Sequence, residues 1–250
     1  MQVFWTLTRR ELAAYFLSLT GYLIIAAATF IMGFILVYLL AKLQEETMPM
    51  PITVTELFSF TPFVILPLTT PVITMRLFAQ EKFSGTFETL MTAPVSDLQV
   101  VLAKFTAALT FYLLMWLPLL GCLFVVRYYA NEPSAFELGS LGSTFLGIVL
   151  LGGLFIGLGC CASALTRSQM SAAMVSLLFG ASLFLLCVVA SQPPSQFSWQ
   201  GKALAYISLL DYMLDFSRGV VDTRPVVLLV SSTLFFLFLT LRIIESRRWK

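Results

Sequence analysis

The chain has 250 residues, 59% of them hydrophobic and 11% charged, with a mean hydropathy of +0.92. Those values exclude an ordinary soluble protein and identify an integral membrane protein. The 15 basic and 13 acidic residues leave a net charge of +2, too small and dispersed for nucleic-acid binding; the absence of histidine removes Ser-His-Asp and Cys-His catalysis, His-ligated zinc or haem, and histidine pH switching.

An ionised side chain at the bilayer centre costs at least roughly 2.5–3.5 kcal/mol, so the gaps between charges measure what can lie in lipid. Residues 1–20 carry Val3, Phe4, Trp5, Leu7, Leu12 and Phe16 around Arg9, Arg10 and Glu11, a pattern suited to a helix in the cytoplasmic interface. Six charge-poor stretches follow, each able to supply the roughly 17–25 residues that a helix needs to cross about 30 Å of hydrocarbon. They predict spans at 21–41, 57–76, 98–126, 138–166, 168–190 and 225–245, within a single all-α transmembrane domain over 1–250. The first run is too long for a signal-peptide core and is expected to be retained. With both termini in the cytoplasm, ten basic residues fall inside and five outside (Lys42, Arg127, Lys202, Arg218 and Arg224), which sets the expected orientation. Cys122, Cys160, Cys161 and Cys187 lie inside apolar runs and read as small packing residues.

Between the second and third spans, residues 77–97 hold the stop and start signals of a short free-standing helix. Ser84-Gly85 breaks the preceding helix, Thr86 can cap the next, Pro94 ends it, and Ser96 with Gln99 forms a capping box for the third span. On that helix Phe87, Leu90 and Met91 share a face beside Glu88. Such a stripe either docks in a groove of another protein or lies back on the lipid interface, and periodicity does not choose between them.

Residues 191–224 form the second informative loop, expected on the external side. Ala203, Leu204, Ile207, Leu210 and Leu214 recur at helical spacing, Asp215 and Arg218 are an i,i+3 pair, and Gly219 sits where a C-terminal glycine falls. Asp211 and Asp222 flank this stretch. Two readings stay open: a re-entrant helical pair covered by protein, or a folded loop with surface ion pairs.

The span centres carry no ionisable residue, which disfavours an ion-coupled carrier. Pro62, Pro67 and Pro71 are expected to bend the second span and Pro118 the third. Gly153 and Gly157 permit close helix approach, within the molecule rather than between copies. With no GxxxxGK[ST] run, the chain is not expected to be an enzyme or to hold a cofactor; an ATP-driven process needs its motor on another polypeptide.

The run from Ile73 to Leu109, ITMRLFAQEKFSGTFETLMTAPVSDLQVVLAKFTAAL, closely resembles the stretch between the second and third spans of ABC-2 type transporter permeases. Met75, Arg76, Phe78, Glu81, Lys82, Gly85, Thr86, Glu88, Leu90, Thr92, Pro94, Ser96, Asp97 and Lys104 stand at that motif's positions, while Gln80 replaces a common acid. DFSRGVVDTR (215–224) and GCCASALTRSQ (159–169) resemble the sequence before the last span and the fourth-to-fifth junction of the same permeases, and the gliding-motility-type branch is the most similar. The resemblance implies a half-transporter of the cytoplasmic membrane: two copies, or this chain with a homologous permease, form a pathway driven by two separate ATP-binding cassette subunits that hold the ATP and Mg. It also implies that Glu81, Gly85, Thr86, Phe87, Glu88, Leu90, Met91 and Pro94 couple to the ATPase. Asp211, Asp215, Arg218, Gly219 and Asp222 would belong to a re-entrant hairpin that caps the pathway. An uncharged lining suits export of a hydrophobic or amphiphilic cargo. A membrane anchor or scaffold for a motility or secretion complex is the alternative.

Overall fold

The computed structural model describes residues 2–45, 50–86, 95–122, 138–190 and 208–248. Among the described residues the regular elements are all helical: α1 Gln2–Phe16, α2 Leu19–Glu45, α3 Met50–Thr74, α4 Ala79–Ser84, α5 Asp97–Met115, α6 Leu138–Leu165, α7 Gln169–Ala190, α8 Leu209–Ser217 and α9 Thr223–Arg248. Among the described residues six stretches are long and apolar enough to cross a membrane: Leu19–Tyr38, Ser59–Ser84, Asp97–Cys122, Gly139–Leu165, Gln169–Ala190 and Thr223–Ser246. The chain is therefore a multi-pass membrane protein, as the spacing of its charges predicts.

Local chemistry sets several boundaries. The Ser96 side chain accepts from the Gln99 amide and starts α5. That helix ends at Met115, where the Trp116 amide donates to the Leu113 carbonyl; helical residues then resume at Leu117 and run through Pro118 to Cys122, the missing N–H of Pro118 preventing an unbroken ladder. Pro62, Pro67 and Pro71 all lie inside α3.

The centre of the bundle is α6. Every residue from Leu151 to Ala164 is buried, and α3, α5, α7, α8 and α9 all pack on this helix. Small residues make that possible, because helix association in lipid depends on close van der Waals contact rather than on hydrophobic exclusion. A Cβ on Gly152 would lie 2.1 Å from the Tyr112 ring of α5. Gly153 and Gly157 instead face Thr233 of α9, so their pairing serves contact within the chain. Tyr112 donates to the Ile148 carbonyl at 3.2 Å and meets Trp116 edge-on, which fixes α5 against α6.

α1 packs along α5: Tyr15 stacks on Phe111 with ring centroids 4.7 Å apart, and Phe16 meets the same ring edge-on. Its other face leaves Val3, Trp5, Arg9 and Arg10 exposed. The outward faces of α2, α7 and α9 are apolar, with Phe30, Phe34, Met174, Leu178, Leu234 and Phe235 exposed, as lipid-facing helices require.

Replacing Gly152 by Ala forces the Tyr112 ring out of place and is expected to destabilise the protein by about 1–3 kcal/mol. Gly153→Ala meets nothing nearer than 3.7 Å and should be close to neutral. Thermal melts of the two purified variants in one detergent check the contrast; equal melting temperatures would refute it.

Candidate functional site

The chain turns between α3 and α4 at one end of the bundle, and four other helices hold that turn. Leu77 and Phe78 are fully buried and anchor it in the core. From α1, Tyr15 donates to the Ile73 carbonyl at 2.9 Å, satisfying one of the acceptors that a helix C-terminus leaves free. Burial pushes the Tyr15 phenol above its usual range, so the group keeps the proton it donates. From α6, the Ser163 hydroxyl accepts from the Phe78 and Ala79 amides, both at 3.1 Å, and the Ala164 carbonyl accepts from the Lys82 ammonium. α7 also packs on α4.

An ion-pair cluster completes the grip. Lys104 of α5 has a side chain only 3% exposed, and its Nζ lies 3.2 Å from Glu11 Oε1 and 2.8 Å from Glu81 Oε1. Arg10 reaches the same two carboxylate oxygens, at 2.8 and 3.4 Å, from the exposed side. Two cations and two carboxylates therefore sum to zero, so the attraction among them offsets the desolvation of the buried Lys104 side chain. Lys104 also lies 5.4 Å from the centroid of the Phe78 ring. The cluster joins α1, α4 and α5 through side chains from three separate stretches of sequence.

Of the residues expected to couple to an ATPase, Glu81 lies in this cluster. Gly85 follows α4 with φ +74, in the left-handed region that favours glycine, and ends the helix as anticipated. Thr86 is exposed, with its hydroxyl 2.8 Å from that of Ser84. Phe87, Glu88, Leu90, Met91 and Pro94 lie outside the described residues. Sequence reasoning missed Glu11, Tyr15 and Ser163, and gave Lys104 a place in the family motif without its burial or its partners. A lysine eight positions into a capped helix is the one local signal for its burial, and its partners are too distant in sequence to be found by spacing.

The second expected site lies at the other end of α6. Ser208 caps α8 by accepting from the Asp211 amide. The helix closes with the Gly219 amide donating to Phe216 and the Val220 amide to Asp215, Gly219 standing at φ +84. Asp211, Arg218 and Asp222 are exposed and Asp215 half-buried; Asp222 Oδ1 accepts from the Arg224 amide at 3.4 Å and starts α9. Ser143 of α6 reaches the Phe216 carbonyl, and Gly147 makes room for Met213 and Phe216. Ala203, Leu204 and Ile207, expected in the first of two short helices, lie outside the described residues. Ser143 and Ser163 are separated by five to six turns of one helix, which sets the two sites roughly 30 Å apart at opposite ends of α6.

The profile of the ABC-2 type transporter family matches residues 2–221, which include the first site and all of the second but Asp222. A comparison with curated proteins found no match.

Lys104→Met leaves two carboxylates facing an uncharged group and should destabilise the protein by roughly 2–4 kcal/mol, whereas the triple change with Glu11→Gln and Glu81→Gln should recover most of that. Chemical denaturation of both variants in detergent reads the difference. No recovery in the triple variant would mean that the Lys104 charge balance is not what the cluster provides.

Proposed function

Because the chain belongs to the ABC-2 type transporter family, whose membrane domains generally work with separate ATP-binding subunits, we propose that it is the permease half of an ATP-driven exporter. Two copies, or this chain with a homologous permease, line the pathway in the cytoplasmic membrane, with both termini and α4 on the cytosolic side. Each permease receives one cassette subunit. The cargo is hydrophobic or amphiphilic, in keeping with span centres that lack ionisable residues, and the permease is of the gliding-motility type.

The observation that carries this reading is the way α4 is held. A free-standing helix over 86–91 would have no soluble domain to rest on, yet the short helix just before it is bonded to α1, α5 and α6. A push delivered at 86–91 by ATP-driven closure of the cassettes then reaches the spans through bonded contacts rather than through a slack loop. Glu88, Leu90 and Met91 are the groove contacts, Gly85 and Pro94 bound them, and Glu81 passes the displacement to Lys104. At the far end, α8 with Asp211, Asp215, Arg218, Gly219 and Asp222 covers the external mouth, where displacement of α6 opens or closes it. Conversion of ATP energy stays on the partner, since the chain has no nucleotide-binding motif.

Changing Glu88→Arg, or Leu90 and Met91 together to Asp, should abolish co-purification of the cassette subunit and the permease-dependent change in its ATP hydrolysis, with the permease still folded. If both persist in these variants, docking at 86–91 is wrong. Cells in which the permease acts equally well with a cassette that binds but cannot hydrolyse ATP would instead favour the anchor reading.

A further inference from the structure

We infer that Ser163 is a positioning residue that fastens the coupling segment to the central helix, so that α4 and α6 move as one piece. The inference rests on the coupling function proposed above and names the residue through which it acts. The first amides of α4 have no acceptor of their own: Phe78 stands at the N-cap and offers no side-chain oxygen. Ser163 supplies it from a helix 84 and 85 residues further along the chain, accepting both N–H groups on one fully buried hydroxyl oxygen. A six-residue helix does not set its own direction, because nucleation of so short a helix is unfavourable without tertiary contact. The direction of α4 is therefore set by what it is bonded to.

The neighbours of Ser163 serve the same attachment. One turn earlier, Gly159 admits the end of α3: a Cβ there would lie 2.4 Å from Thr74 Oγ1. One residue later, the Ala164 carbonyl takes the Lys82 ammonium. Between them Cys160, Cys161 and Ala162 are small and buried, so the turn comes close to the α6 backbone. The Glu81 contacts differ in kind. They join flexible side chains, one of them exposed, and can follow a rotation of α4 by swivelling, whereas the Ser163 bonds hold backbone amides. Both of these bonds begin at 3.1 Å, and a separation of about 1 Å along them takes them out of hydrogen-bonding range. When α4 is displaced, either α6 follows or the attachment breaks. Since α6 also carries Ser143 and Gly147 under α8, a helix that follows delivers the displacement to the opposite end of the bundle.

Ser163→Ala removes only the acceptor. In the full-length permease in lipid nanodiscs, hydrogen–deuterium exchange across residues 78–84 should rise by about tenfold or more, the effect expected for leaving two buried amides without an acceptor, with exchange across 98–112 close to wild type. With the cassette subunit present, the variant should still co-purify with it but lose the permease-dependent change in ATP hydrolysis. Ser163→Cys, similar in size with a poorer acceptor, should shift both readouts in the same direction and covers the case in which the alanine variant misfolds. Unchanged exchange across 78–84 in both variants overturns the inference, as does raised exchange with an intact ATPase response. A wild-type permease that leaves the cassette's hydrolysis unchanged would sink the coupling function itself; raised exchange in Ser163→Ala would then show a structural cap, and the positioning role would fall with the function.

Discussion

A buried ammonium shared between two carboxylates holds one end of this molecule together. The Lys104 side chain is only 3% exposed, where an unpaired charge is costly, and Glu11 and Glu81 bring opposite charge from two other helices. The pairing obliges α1 and α4 to stay on α5. A helix that its composition alone would allow to drift in the lipid interface becomes a fixed member of the bundle, and a six-residue helix that cannot sustain itself acquires a place.

Around that cluster, the turn between α3 and α4 satisfies the polar groups that helix ends expose. Tyr15 takes a carbonyl of α3 and Ser163 takes two amides of α4. Leaving such groups unpaired in a low-dielectric interior costs several kcal/mol each, so in a membrane protein a broken helix persists only where neighbours supply partners. Here the partners come from α1 and α6, and the break is thereby a feature of the whole bundle.

The two expected sites relate through α6. Its fourteen consecutive buried residues from Leu151 to Ala164 leave it no lipid face there, and its glycines bring α5, α3 and α9 to short range. A helix so enclosed cannot shift without its neighbours, which suits an element joining the two ends of the bundle. The apolar outward faces of α2, α7 and α9 leave the contact with lipid to the periphery.

Much of this was legible without coordinates. The gaps between charges pointed to six helices long and apolar enough to cross a membrane, because the cost of burying an ion in hydrocarbon is large compared with any local preference. Ser96 with Gln99, Gly85 and Gly219 marked helix ends, because caps are made by residues three or four positions apart or by the backbone angle of a single residue. The family resemblance rested on the segment from Ile73 to Leu109. The partners of Lys104, the acceptor for α4 and the central place of α6 could not be read the same way. Glu11 and Lys104 are 93 residues apart and Ser163 is 85 from Phe78, separations at which no periodicity carries information. Only the folded bundle decides which helix ends meet, since that choice depends on the packing of glycine-rich surfaces and on charge balance summed over several elements at once.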